Sequence, residues 1–439
     1  MNREEAKKAV CAAIDAHAEE IIAIGDDIFA HPELGYKEVR TSGIVRDTFD
    51  RLGLPHEDGL AITGVKARLK GDGQGPTVAI MGELDAVVCP LHPNADPVSG
   101  AAHSCGHNGQ TAAMLGAAYG LSLSGVKDAL GGDVAFLAVP AEECVELEWR
   151  GEMMKEGRIH YYGGKQELIH AGVFDDIDMA MLVHGMENSE KNVVNVESGS
   201  VGFVTKKVHF IGKEAHAGLC PENGVNALNA ASLALMAINS IRETFKDSDC
   251  IRVHPILTKG GDLVNIVPAD VRMEAYVRGR TIEAIKDANY RVNRAIKGAA
   301  YAIGAQAVIE DIPGYLPVQQ NHAMSELFRS NACSLFDSPV VETEEIGGAS
   351  SDIGDVSSIM PTIQPTLGGF AGGFHSQHLQ VVDKNKAYIA PAKAMAMTAV
   401  DLLFDGAQKA KEILSDFHGL SSAEYDALWQ NMLKYEDTL

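Results

Sequence analysis

The sequence lacks any excess of positive charge. Sixty acidic residues stand against 37 basic ones, a formal charge of −23, and a surface of that sign repels phosphate backbones and anionic lipid. Neither nucleic acid nor a membrane surface is expected as a partner. Long hydrophobic runs are missing too: no stretch offers about 18 uninterrupted apolar residues, the length a membrane span needs. The opening MNREEAKKAVCAAIDAHAEE alternates charge with alanine where a secretory signal needs an apolar core. The expectation is a cytoplasmic protein. Cysteine is scarce, and the seven present (11, 89, 105, 144, 220, 250, 333) are odd in number and scattered, poor material for a disulfide framework. Internal repeats and low-complexity segments are absent.

What the chain does have is material for burial. Hydrophobic content of 46% and a mean hydropathy of −0.03 fit a soluble globular protein, and 439 residues exceed one ordinary core, so two domains are expected. Apolar positions recur at helical spacing over the first 30 residues (Val10, Ile14, Ile21, Ile22, Ile28, Phe29), and Pro32 ends that pattern. Beyond it, β-forming runs such as TVAIMGELDAV (77–87), GDVAFLAVPAEE and DMAMLVHG alternate with helical ones such as TAAMLGAAYGLSL. That alternation predicts an α/β domain, its mixed, mostly parallel sheet covered by helices. Near residue 197 the texture changes. VGFVTKKVHFIG, CIRVHPILTKGG and DVRMEAYVRG alternate polar and apolar residues as one-side-exposed strands do. Two amphipathic helices accompany them, NGVNALNAASLALMAINSIRETF and TIEAIKDANYRVNRAIKGAAYAIG, the second capped by Thr281. The β-α-β-β-α-β order predicts an inserted ferredoxin-like α+β domain over 198–311. Residues 1–197 and 312–439 then form one discontinuous domain, closed by the helix AYIAPAKAMAMTAVDLLFD.

The chemistry-bearing residues follow predicted strands. Asp85 ends AIMGELDA, Cys105 and His107 in HSCGHNGQTA precede a helix, Glu142 and Glu143 end VAFLAVPAEE, His184 ends MAMLVH, and His375 lies in GGFAGGFHS. In open α/β sheets that carboxyl edge is where ligands bind. Imidazole, carboxylate and thiolate together suit a borderline divalent ion such as Zn²⁺ or Mn²⁺, and a deprotonated thiol can bridge to a second ion. Of two adjacent carboxylates, one can hold an ion while the other takes a proton from water. Each residue alone has an ordinary explanation: a helix entry with a buried cysteine, a solvated turn for the Glu pair, satisfied core or loop histidines. Their convergence on one sheet edge argues for metal. A competing reading makes Cys105 a nucleophile activated by His107, but it leaves Glu142, Glu143, His184 and His375 without a role.

With these residues assembled, the chain resembles the M20 metallopeptidase family. More narrowly it is similar to the amidohydrolase branch in which a cysteine bridges two metals, in texture nearest the group that includes the B subunits of p-aminobenzoyl-glutamate hydrolases. GELDAV, HSCGHNGQTAA, PAEE, AGVFDDIDMAMLVHG, FIGKEAHAG, GGDLVNIVPADV and ASSDIGDVS carry the resemblance over nearly the whole chain. It implies two divalent ions, Mn or Zn, bridged by Cys105 and held by His107, Glu143, His184 and His375. Glu142 would be the general base, and Asp85 would orient a ligand histidine from behind. The resemblance also implies a homodimer through the inserted domain, whose His216 would reach the developing oxyanion in the partner's site. Asn265 and Arg278 match substrate-contacting positions, the arginine suited to a carboxylate, although as a turn Asn and a strand Arg both are equally explained by structure alone.

Several departures from the branch stand out. It usually reads HxCGHDGH, whereas Asn108 and Gln110 take the last two polar places here; neutral amides there would alter ion affinity. The stretch 144–170 is longer and more charged than the branch suggests and is read as a reshaped pocket rim. His378 competes with His375 as the last ligand, the H-S context favouring His375, and His103 is read as structural or as support behind the ligands. The implied activity is hydrolysis of the amide bond of a small N-acyl or N-aroyl amino acid or dipeptide by metal-activated water. Two alternatives stay open at this point: hydrolytic deamination of an activated aromatic amine at the same site, and a non-catalytic small-molecule binding protein on the same fold.

Overall fold

The computed structural model describes residues 1–187, 192–196, 199–343 and 350–433. These fall into two compact units, described in turn. The first comprises Met1–Gly199, Gln319–Glu345 and Asp355–Ala423; the second comprises Ser200–Val318 with the described parts of Ile346–Gly354 and Glu424–Leu439. The expected boundary at 197–198 lies outside the described residues.

The main sheet of the first unit runs in the order His56–Leu60, Gly64–Leu69, Asp133–Val139, Thr77–Glu83, Met179–Met181, Thr362–Ile363. The last four strands are parallel to one another and the first two join antiparallel, which is the mixed, mostly parallel α/β sheet expected. Thr77–Glu83 is buried at every position, as its unbroken apolar run requires of a central parallel strand. A second sheet contains Val340–Glu342, Val193–Asn195, Thr366–Ala371 and Gln380–Val381, with His184–Glu187 also paired to Thr366–Ala371. DMAMLVHG, read as one strand, is thus divided: Met179–Met181 serves the first sheet and His184–Glu187 the second.

The helix His107–Leu123 is buried almost throughout. Its Ala and Gly side chains are small enough for Arg3–Ala16, Ala18–Ala30 and Ala390–Ser415 to pack closely on it. Gly82 measures how near this helix comes to the central strand: a Cβ there would lie 2.9 Å from both the Gln110 carbonyl oxygen and Thr111 Cα. The strand's end and the helix's start therefore share one small volume. Gly106, left-handed at φ 77°, makes the turn into the helix. The N-terminal pattern, read as one helix, is two, broken at His17, whose ring stacks on Tyr119 with centroids 4.9 Å apart. A break without Gly or Pro leaves no mark in apolar spacing. One segment, 385–415, is apolar and long enough to cross a membrane, yet 89% of its most apolar stretch is buried inside the protein. It is a core helix.

The second unit is a four-stranded antiparallel sheet in the order Arg252–Lys259, Asp270–Gly279, Gly202–Ile211, Gln306–Pro313, packed by Ala227–Ile241 and Ile282–Ile303. This is the split β-α-β-β-α-β arrangement. Asn226 and Thr281 cap the two helices, accepting from the Asn229 and Ala284 amides at 3.0 and 3.1 Å. Beneath the helices Lys206 is fully buried and ion-paired to Asp311, to which Asn289 and Asn293 also donate at 2.7 Å each.

Candidate metal centre

In the first unit the turns that follow separate strands bring the candidate ligands together. Cys105 Sγ lies 3.5 Å from His184 Nε2 and 3.3 Å from His375 Nε2, and His375 Nε2 lies 3.4 Å from Glu143 Oε1. The ligand atoms form two groups, Cys105–His107–His184 and Cys105–Glu143–His375, each within 4.8 Å, and Cys105 belongs to both. Metal–ligand bonds of about 2.0–2.3 Å in a tetrahedral site make edges of roughly 3.3–3.7 Å between neighbouring ligand atoms. The measured separations fit that. Two buried atoms of the set, His107 Nε2 and Glu143 Oε1, make no hydrogen bond and stand 3.9 Å apart, so the residues present fit a pair of cations.

The histidines are held in the tautomer this requires. His107 Nδ1 donates to the Asp85 carbonyl at 3.0 Å and faces Asp85 Oδ1 at 3.1 Å, and His184 Nδ1 donates to Gly185 O at 2.8 Å. Each ring thus offers Nε2 as its ligand atom. Asp85 Oδ2 in turn accepts from the Glu143 amide at 2.8 Å, so one fully buried carboxylate fixes both a candidate ligand histidine and a candidate ligand glutamate. Left-handed backbone at Ala141 (φ 52°) and His375 (φ 59°) turns both ligand loops inward. The His375 amide donates to Ser104 O at 2.6 Å, tying its loop to that of Cys105. His375 is the exposed member, with 58% of its side chain accessible, while His107 is fully buried.

The electrostatics ask for positive charge. Burial pushes the Cys105 thiol well up, helped by Glu143, and burial also raises Glu143 itself. Burial alone would strip His107 of its proton, but Cys105, Glu83 and Asp85 around it hold the proton on. Divalent cations at this point would reverse each of those shifts, because they stabilise thiolate, carboxylate and neutral imidazole together.

The model of peptidase family M20/M25/M40 matches residues 79–399, which is most of the chain. The chain belongs to that family. As an M20 enzyme it is a metal-dependent amidohydrolase. It is 28% identical over 427 residues to an Xaa-Arg dipeptidase of Mus musculus, spanning 91% of this chain and 89% of that one. It is 27% identical over 339 residues to an N-acetylcysteine deacetylase of Bacillus subtilis, 75% and 83% of the two chains. A dinuclear metal binding peptidase of the M20 family from Bacillus subtilis shares the fold, with a TM-score of 0.69 at 23% identity over 89% of this chain and 99% of that one.

Within this M20 centre, Glu142 stands beside the two ligand groups, 7% exposed, with Oε2 3.9 Å from His107 Nε2. His378 is exposed, lies beside Gln377 and joins neither group. His103 is buried without a hydrogen bond from either ring nitrogen, and burial with the nearby His107 depresses it to about 3, so it is a neutral packing residue behind the ligands. Two sequence expectations need correction. Asn108 does not address the ions: its amide donates to Gly25 O at 3.3 Å and Tyr388 Oη at 3.0 Å, because the helix start turns it toward the neighbouring helices. Nor is 144–170 simply a rim. It forms the helices Leu147–Lys155 and Gly164–His170, and Arg150 and Lys165 are fully buried, the lysine tolerated there because its charge is paired.

Its partner is Glu83, a residue that sequence reasoning missed. Lys165 Nζ lies 2.5 Å from Glu83 Oε1, and Gln110 Nε2 donates to Glu83 Oε2 at 2.7 Å. Burial alone would raise the Glu83 carboxyl, but Lys165, His107 and His184 pull it down to about 2. The signal was present in GELDAV, where Glu83 and Asp85 two residues apart project to one side of an extended chain. Glu38 was missed as well. It accepts from Thr63 Oγ1 at 2.6 Å and from the Ala141 amide at 2.8 Å, bracing the turn before Glu142.

The remaining candidates lie in the second unit. His216 is exposed and pairs with Ile266 across an isolated bridge; its Nδ1 accepts from the Gly218 and Leu219 amides at 3.2 and 3.1 Å, leaving Nε2–H as a donor. Asn265 is beside it, its carbonyl accepting from the Ala217 amide at 2.9 Å. Arg278 is elsewhere, at the far end of Asp270–Gly279, where it donates to His254 Nε2 at 3.2 Å and Ser350 Oγ at 2.7 Å. At 3.3 Å per residue, the strand sets Arg278 roughly 25 Å or more from the His216–Asn265 end.

Proposed function

We propose that this M20 enzyme hydrolyses the amide bond of a small N-acyl or N-aroyl amino acid or a dipeptide, using two divalent ions (Mn or Zn) held by Cys105, His107, Glu143, His184 and His375. The observation that carries the reading is the pair of ligand groups meeting at Cys105 with Glu142 beside them. When bound, the ions supply Lewis acidity to a water and to the scissile carbonyl. Glu142 takes the proton of the attacking water and delivers it to the leaving nitrogen. Glu143 is held as a ligand by the Asp85 clamp on its amide. His216 donates Nε2–H to the developing oxyanion, and Arg278 receives the substrate carboxylate. Relatives named a dipeptidase and a deacetylase support an amide substrate of this size.

Because Arg278 stands at one end of the Asp270–Gly279 strand and His216 lies beyond the other, a small substrate meets them both only if they come from different chains. A homodimer through the second unit supplies that. Its edge strand Arg252–Lys259 carries exposed Ile256 (61%), and the loop beside Asn265 carries Val264, fully bare, an unpaired apolar edge of the kind a second copy covers. We propose a cytoplasmic location on the same reading, since a centre that depends on a thiolate suits a reducing compartment.

The test is a panel of N-acyl amino acids, dipeptides and aminobenzoates with Mn²⁺ or Zn²⁺ added, scored for released amine, acid and ammonia, on wild type and Glu142→Gln. An amine and an acid are expected, with turnover reduced about 10²–10⁴-fold in the variant. Free ammonia from an aminobenzoate would point to deamination, and a variant within about tenfold of wild type would place the base elsewhere.

A further inference from the structure

The departures at Gln110 and in the 144–170 stretch meet at one carboxylate. Glu83 is the last residue of the central strand, 1% exposed, and every polar group on it is engaged: Oε1 by Lys165, Oε2 by Gln110, and its carbonyl by Thr111 Oγ1 at 2.6 Å. Oε2 also lies 3.1 Å from His107 Nε2, the ligand atom, without a hydrogen bond between them. Glu83, His107 and Glu142 form a third buried group whose polar atoms lie within 4.8 Å. Gln110 and Thr111 belong to the helix that begins at His107. Lys165 belongs to a helix whose first residue, Gly164, donates its amide to Ala141 O at 3.0 Å and is pressed so close to Pro140 that a Cβ would lie 1.7 Å from the Pro140 carbonyl oxygen. Glu83 therefore joins the His107 helix to the segment bracing the Glu142–Glu143 turn.

We propose that the buried Lys165–Glu83–Gln110 strut is a positioning device for the metal centre, setting His107 against the Glu142–Glu143 turn and placing a fixed negative charge beside the ion held by Cys105, His107 and His184. This rests on the two-ion reading above. Glu83 is buried and not counted among the ligands; it acts through His107. A buried ion pair that serves only stability behaves otherwise, because replacing both partners by neutral groups of similar size is often tolerated, whereas removing one leaves a stranded charge. That difference makes the strut testable apart from its effect on folding.

The experiment measures ion affinity and stoichiometry by competition with a chromophoric chelator, and the thiolate-to-cobalt absorption of Co²⁺-loaded protein, in wild type, Glu83→Gln, Lys165→Met and the double variant Glu83→Gln/Lys165→Met. Melting of each chelator-treated protein reports its fold. Wild type is expected to bind two Co²⁺ or Zn²⁺ ions. The double variant, its charges removed together, is expected to melt close to wild type and yet bind one of the two ions about 10–100-fold more weakly, the usual loss when an outer partner of a ligand is removed. Its Co²⁺ spectrum is expected to shift. A double variant that binds both ions with wild-type affinity and an unchanged spectrum overturns the strut and leaves the two-ion reading intact. Wild type that binds no ion overturns both.

Discussion

The opposed placement of His216 and Arg278 makes a quantitative prediction about mixed dimers. Glu142→Gln disables the base, and His216→Ala removes an oxyanion donor, a change that costs about 10²–10³ in turnover. Each homodimer is then nearly inactive. Co-expression of the two variants in equal amounts gives about half mixed dimers in a two-fold assembly. Roughly 25 Å separates the two ends of the Asp270–Gly279 strand, so His216 and Arg278 would come from different chains, and His216 is the one proposed to serve the partner's centre. In a mixed dimer the chain with intact Glu142 then receives an intact His216 from its partner, and its site is complete; the other site has neither group. The co-expressed sample should recover about a quarter of wild-type turnover, half the dimers with one working site of two. The assay needs only two affinity tags to isolate the mixed species and the best substrate from the panel. If His216 served its own chain, no mixed dimer would hold a complete site. Activity staying at the level of the single variants, with mixed dimers demonstrably present, would refute the reading that His216 crosses to the partner's centre.

Two further outcomes concern the scaffold. Lys206→Met strips the cation from a buried network and leaves Asp311 charged with only Asn289 and Asn293 on it; a loss of about 3–5 kcal/mol is expected in denaturant unfolding, with Lys206→Met/Asp311→Leu returning near wild type. A double variant as unstable as the single would contradict the pairing. For pH, Glu38 is fully buried and is pushed up to about 7 by that burial and by Asp85. The folded protein keeps this proton up to about pH 7, whereas the unfolded chain releases it near its ordinary value of 4.5. Its contribution to stability is therefore complete at low pH and falls as pH rises between those values, by up to about 3 kcal/mol. In chelator-treated protein, Glu38→Gln should flatten that part of the stability profile between pH 5 and pH 8; an identical slope in wild type and variant would contradict it.

The residues legible in the sequence are those whose signal is local. A strand's apolar run, a helix's period and the positions just after each told where Asp85, Cys105, His107, Glu142, Glu143, His184 and His375 stand, and parallel sheet topology brings such positions to one edge. The split order of the second unit was visible for the same reason, its cap at Thr281 included. What stayed hidden depends on partners far away in the chain. Glu83 and Lys165 are 82 residues apart, and a charged residue read alone belongs at the surface, which is why 144–170 looked like a rim. Asn108 and Gln110 looked like a weakened metal motif because their real neighbours, Tyr388 and Glu83, cannot be inferred from spacing. The strained Ala141 and its brace Glu38 left no pattern at all, since an alanine gives no sign that its φ is positive.

The account stands on one thiolate shared by two ions. X-ray absorption at the zinc edge, on protein loaded with two zinc ions per chain, measures that sharing directly. Sulfur at about 2.3 Å with an average of one per zinc is predicted, because each ion would be bonded to Cys105. An average of about one half would make the cysteine a terminal ligand of a single ion, and no sulfur at all would remove it from the centre.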